Sequence, residues 1–169
     1  MTLRRLSSIA VLALAALLAG CGFHLRREAQ LPPSMKRVHI EIADPSSQLA
    51  KDLTRALPRS GVQVVDKVES DVAVMRIGAN AMSTDILSVG GTSRANEYSL
   101  RYHVEFEVQD AAGQSILPKQ TIELSREFTF DASQALGVAA ETDLLTKELQ
   151  RDMVQTILRR LEALAHAAR

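Results

Sequence analysis

The chain holds a single thiol, Cys21, and its surroundings say what the thiol is for. Leu18-Ala19-Gly20 precede it, closing an apolar run from Leu6 that only Ser7 and Ser8 interrupt, and Met1 to Arg5 carries two arginines and no acid. A basic start, a short apolar segment and small residues at its end describe a secretory signal. The run is too short to cross a bilayer, which takes about 20 apolar residues. Leu-Ala-Gly-Cys matches a bacterial lipobox, in which the cysteine sulfur becomes a thioether to diacylglycerol, the signal is cut before Cys21 and the new amine can be acylated as well. With no second cysteine there is no disulfide to form, even in a compartment that permits one. Two or three acyl chains anchor stably where one does not, since each buried CH₂ contributes about 0.8 kcal/mol. Gly22, where an aspartate would retain such a chain at the inner membrane, points to a lipid-anchored, periplasm-facing position at the outer membrane.

The remaining chemistry is sparse. Histidines 24, 39, 103 and 166 have no metal-ligand spacing. Glu105 and Glu107 share one strand face, spaced by two, as paired carboxylates for acid–base work would be. Nothing apolar flanks them to shift a pKa, and a charged strand face is the commoner meaning of such a pair. Gly90-Gly91 lacks the lysine and helix start of a phosphate loop, and no G-x-S-x-G offers a nucleophile. The residues call for no catalytic group, no metal and no cofactor.

What must position any surface site is one domain. The chain has 169 residues, with 20 basic and 20 acidic side chains; the signal removes Arg4 and Arg5 and no acid, leaving a faintly acidic mature protein. That balance excludes the electrostatic footprint of a nucleic-acid binder. The lack of tryptophan and the presence of only two tyrosines exclude a surface built on aromatic stacking. Residues 1–20 are read as signal, 21–36 as an acylated tether stiffened by Leu31-Pro32-Pro33, and 37–169 as a single domain.

Val38, Ile40 and Ile42 alternate with polar neighbours, the period of a half-buried strand. Asp44 to Ser47 supplies capping side chains, and Leu49, Leu53 and Leu57 mark a short amphipathic helix ended by Pro58 and Gly61. Val62, Val64 and Val65 open an extended segment that Asp71 to Met82 continues, apolar on both parities and bent or doubly covered at Gly78. Ser83 to Asn96, with Gly90-Gly91, reads as a loop. Tyr98, Leu100, Tyr102, Val104, Phe106 and Val108 form one face of a long strand, whose other face carries Arg101, His103, Glu105 and Glu107. Ala111-Ala112-Gly113 turns the chain into a second alternation, Ile122, Leu124, Phe128 and Phe130, whose parity Arg126 breaks. Leu145, Leu149, Met153, Ile157, Leu161 and Leu164 stripe a helix from about Glu141 to Ala165. Strand, helix, three strands and a covering helix predict an α+β two-layer sandwich, a roughly four-stranded mixed sheet with two helices on one face, its first two strands parallel and the later ones antiparallel.

Several segments resemble one family. Cys21-Gly22-Phe23-His24-Leu25-Arg26, Gly61-Val62, Ala95-Asn96-Glu97-Tyr98 and Arg126 to Asp131, in that order, are similar to the LPS-assembly lipoprotein (LptE) family of the lipopolysaccharide transport machine. The resemblance implies a non-enzymatic lipoprotein that assembles with and plugs a large outer-membrane β-barrel translocon, the LPS-assembly protein LptD, and contacts lipopolysaccharide on its way to the surface. A polar sheet face suits a polar lumen. Lipid A is phosphorylated, so a contact calls for lysine or arginine; Arg94 is the first candidate and Arg101 the second, while the connection from Ala132 to Ala140 offers no basic residue. The alternative is an outer-membrane lipoprotein that carries another amphiphile in the periplasm.

Overall fold

A computed structural model describes residues 31–89, 95–129 and 135–167. Strand β1 (Arg37–Ile42) leads into helix α1 (Gln48–Ala56), a 3₁₀ turn (Leu57–Ser60) and the two-residue strand β2 (Gln63–Val64). Strands β3 (Ala73–Val89), β4 (Ala95–Gln109) and β5 (Ser115–Thr129) follow, and helix α2 (Ala135–Ala167) ends the chain. The sheet order is β2-β1-β3-β4-β5. β1 is parallel to both β2 and β3, and the β3-β4 and β4-β5 pairs are antiparallel.

The α+β two-layer class stands, with five strands instead of four. The extended segment after α1 is not one strand but two, placed on opposite edges of β1. Asp66-Lys67 and Glu69-Ser70-Asp71 lie between them, too polar to pass through a sheet. Arg37 at the start of β1 holds this connection, reaching Glu69 at 2.8 Å and Asp71 at 2.5 Å. The hydrogen bond from Arg37 keeps the Asp71 carboxyl below its ordinary range.

The stretch read as a loop, Ser83 to Asn96, is mostly strand. β3 runs on to Val89 and β4 starts at Ala95, with Ser83 opposite Arg101 and Asp85 opposite Ser99. Glycines, serines and threonines suggest a turn, but Thr84, Ile86 and Val89 are β-branched and suit a ladder. The backbone of β4 also needs a partner along its full length. Helix α2 likewise begins at Ala135, six residues before the expected Glu141, where the good helix formers Ala135, Leu136, Ala139 and Ala140 outweigh Gly137 and Val138.

Helix α1 starts where its capping residues predict, the Ser47 hydroxyl accepting from the Ala50 amide at 3.3 Å. Gly61 ends the following 3₁₀ turn at φ 77°, a left-handed conformation that favours glycine. Leu49, Leu53 and Leu57 turn inward with Leu149, Met153, Ile157 and Leu161 of α2. They meet Val38, Met75, Tyr102, Val104 and Phe106 from one side of the sheet in a single core, so both helices cover the same face. Packing begins before residue 37, because Met35 in the 3₁₀ turn Pro33–Met35 is fully buried and Leu31 rests against the core. Arg126 breaks the apolar parity of β5 to bind Asp152 of α2 at 2.5 Å, tying helix to sheet across a half-exposed edge.

Candidate functional site

The uncovered face of the sheet carries the densest group of charged side chains. β4 supplies Arg101, His103, Glu105 and Glu107 at every second position, which the strand period directs to one side. β3 sets Arg76 opposite Glu107, and Ser83 opposite Arg101. On β5, Glu123 lies opposite His103 and Ser125 opposite Arg101. β1 adds Glu41 next to Arg76.

Two clusters result. Arg76 bridges Glu41 at 3.1 Å and Glu107 at 2.8 Å, and these two bonds raise the guanidinium pKa further above its already high value. Lys119 approaches Glu105 to 2.6 Å, and that hydrogen bond, ahead of the opposing effect of burial, holds the Glu105 carboxyl below its ordinary range. His103 stands between Glu105 and Glu123 at 3.7 and 3.8 Å, an ion pair only when protonated. Arg101 lies 3.1 Å from Asp85 and 3.5 Å from Glu123. A depression of about 220 Å³ lined by Arg76, Gly78, Glu105, Glu107 and Lys119 sits between the clusters. Its cations and carboxylates cancel, so it is no anion trap.

Glu105 and Glu107 are thus not an acid–base pair. Each already has a cation, and a carboxylate pinned in its ionised form by Lys119 is a poor proton donor. Arg101, the second candidate for contact with lipopolysaccharide, is on the wet face as expected, but two carboxylates engage it; a phosphate would have to displace them. Arg94 and Cys21 lie outside the described residues. His39 donates through Nδ1 to the Val65 carbonyl at 3.1 Å, a structural bond between β1 and the segment after β2. Among the described residues no group of histidine, cysteine and carboxylate side chains could hold a metal ion, and no helix is long and apolar enough to cross a membrane.

Sequence reasoning missed Arg76 and Lys119. The signal for Arg76 was present, as the one charged residue between Val72 and Met82, on a strand otherwise apolar on both parities. Lys119 shares the parity of Thr121 and Glu123, which lie opposite Glu105 and His103, but with Pro118 and Gln120 beside it no apolar alternation marked it in the sequence.

Comparison with known proteins places this geometry. A family model described as lipopolysaccharide-assembly, LptE, matches residues 35–161, which spans the sheet, α1 and most of α2. The LPS-assembly lipoprotein LptE of Yersinia enterocolitica is 31% identical over 151 residues, covering 89% of this chain and 72% of that protein. Its counterpart in Photorhabdus laumondii is 29% identical over 143 residues, 85% of this chain and 78% of the relative. The solution structure of lipoprotein B from Nitrosomonas europaea superposes with a TM-score of 0.74 at 33% identity, covering 86% of this chain and 94% of that one. The crystal structure of the rare lipoprotein B from Shewanella oneidensis gives a TM-score of 0.65 at 27% identity, over 75% and 94%. The chain therefore belongs to the LptE family of lipopolysaccharide-assembly proteins, cell-envelope lipoproteins that are not enzymes.

Proposed function

We propose that this lipoprotein, anchored in the outer membrane through acylated Cys21 and facing the periplasm, assembles with the LptD β-barrel, plugs its lumen and contacts lipopolysaccharide during insertion at the cell surface. One observation carries the barrel reading. The sheet is covered by helices on one face only, and its other face is a continuous field of paired charges along strands of 15 and 17 residues. Such a face is at home against water and polar walls, which is what the lumen of a large transmembrane barrel offers. It would be badly placed against lipid or an apolar partner, where the ions would lose their hydration.

Arg94 and Arg101 are the proposed lipopolysaccharide contacts. Arg94 lies between the ends of β3 and β4, and Arg101 reaches an anionic group only by exchanging Asp85 and Glu123 for it. The assembly is tested by affinity purification of the tagged protein from detergent-solubilised outer membrane. A large β-barrel recovered in stoichiometric amount is the expected result. Recovery of the lipoprotein alone, with an extractable amphiphile, would favour a carrier and overturn the plug.

A further inference from the structure

The helix layer distributes charge quite differently from the sheet face. β1 and β5 run the same way, since β3 is parallel to β1 and two antiparallel pairings follow; α1 and α2 therefore return across the sheet side by side. Between them lies an open groove of about 940 Å³. Ala56, Val154 and Leu158 give it an apolar floor. Its rims carry Arg55, Arg59, Lys147, Arg151 and Arg159 against only Asp52 and Glu162.

The pairing of these cations matters more than their number. On the sheet face Arg76, Arg101 and Lys119 all sit on carboxylates. In the groove Arg55 is held by Asp52 and Lys147 by Asp143, and Arg159 donates to the Thr156 hydroxyl at 2.7 Å, with no carboxylate on it among the described residues. Arg59 and Arg151 have no ion-pair partner among the described residues. Among the described residues the groove therefore gathers two arginines without a carboxylate and a third, Arg159, on a neutral hydroxyl, in one concave place.

That place adjoins the entry of the tether. Arg59 and Ser60 close one end of the groove, and the next residue, Gly61, lines a neighbouring cavity of about 650 Å³ together with Pro33 and Ser34. Leu31 is already seated on the core. Nine residues lie between it and Cys21, and a fully extended chain over those ten steps spans at most about 35 Å. A domain tethered so closely to a bilayer keeps the Arg59 end of the groove within reach of the headgroups.

We infer that the groove between α1 and α2 is a docking surface for the anionic phospholipid headgroups of the leaflet that carries the anchor, phosphates meeting Arg59 and Arg151 and the acyl-proximal part of the lipid meeting Val154 and Leu158. The contact requires no barrel. It orients the tethered domain with its helices toward the membrane and its charged sheet face away from it, free for a polar partner.

The test uses the mature lipoprotein, whose acylated Cys21 leaves an introduced cysteine as the sole free thiol. Gln155→Cys labels the groove and Ser125→Cys the sheet face with a fluorophore quenched by headgroup-nitroxide lipid. The protein is placed on vesicles of phosphatidylcholine alone or mixed with phosphatidylglycerol. Flotation with the neutral vesicles reports the anchor by itself. Quenching of the Gln155 label, but not of the Ser125 label, is expected only on the anionic vesicles. Each arginine or lysine at an anionic surface strengthens partitioning about fivefold, so Arg59→Glu with Arg151→Glu should weaken headgroup contact by at least about 25-fold. Added salt should do the same. Circular dichroism of the double variant guards against unfolding. Equal quenching at both labels, or quenching at Gln155 that survives the double charge reversal in a folded protein, would overturn the inference while leaving both the anchor and the barrel reading untouched.

Discussion

Ile157→Ala on α2 tests whether the terminal helix holds the fold together. Ile157 is fully buried, one turn from Met153 and Leu161, which are equally buried on the same stripe. The substitution removes three carbons at about 0.8 kcal/mol for each buried methylene, and the cavity left among Met153, Leu161 and the sheet raises the total into the usual range of about 2–5 kcal/mol. With a urea slope of about 2 kcal/mol/M, a loss near 3 kcal/mol moves the midpoint by about 1.5 M. The comparison variant is Lys147→Ala on the same helix. Its ion pair with Asp143 at 2.6 Å joins side chains 64% and 63% exposed, and such i,i+4 pairs contribute about 0.3–0.5 kcal/mol. Urea titrations of the two variants, followed by circular dichroism, should therefore separate by more than about 1 M. Coincident midpoints would show that α2 does not pack on the sheet as described.

Cys21→Ser should abolish acylation and leave the precursor uncleaved, since a hydroxyl does not replace the thiol in the transfer; metabolic labelling with a palmitate analogue checks it, and label on the serine variant would defeat the lipobox reading. Arg94→Asp should weaken lipopolysaccharide binding several-fold at low salt without unfolding the domain, whereas Glu127→Lys, an exposed change on the sheet face, should leave it unchanged; Glu107→Lys would not serve as that control, because Glu107 accepts from Arg76. Burial, and secondarily the nearby Asp52, pushes the Tyr102 phenol from 10.0 up to about 12, so the neutral form is favoured in the fold. A raised folded pKa means the contribution is whole below pH 10 and is lost as pH rises towards 12, amounting to about 3 kcal/mol. Tyr102→Phe should flatten that alkaline decline in thermal-melt measurements while losing the hydrogen bond to Asn80 at 2.8 Å.

From Tyr98 to Val108 strand β4 could be read residue by residue, because one face is core there and the other, Ser99 aside, is wet. Strand β3 could not. A register shift between Ile77 and Ala79 reverses its parity: Ala73, Met75 and Ile77 face the helices before it, and Met82, opposite Tyr102, faces them after it. In the sequence the two halves superimpose as apolar residues on both parities. A second shift, past Val108 and Phe106, does the same to β5, where buried Leu117 and buried Ile122 fall on opposite parities. The proposed lipid attachment at Cys21 rests on a linear motif read by an enzyme, so it needs no fold to be legible. The pairing of Arg101 does need one, since Asp85 lies in the stretch that glycine and serine content disguises as a loop.

The two surfaces impose opposite requirements on whatever covers them. Side chains of the sheet-face ion pairs range from 26% exposed at Glu105 to 60% at Lys119, so their stabilisation depends on the water that still reaches them. An apolar partner would strip that water and incur a desolvation cost that the existing pairs cannot recover, because their geometry is already satisfied. Burial of this face is therefore favourable only where the partner brings its own polar groups or leaves ordered water in place, as wet interfaces do. The groove between the helices has the reverse character. Arg59 and Arg151 have no counter-charge among the described residues, and an anionic partner gives them one without breaking any pair described in the fold. A domain built this way can be held from the helix side by negative charge and from the sheet side by a polar wall at the same time, since neither contact draws on residues the other uses.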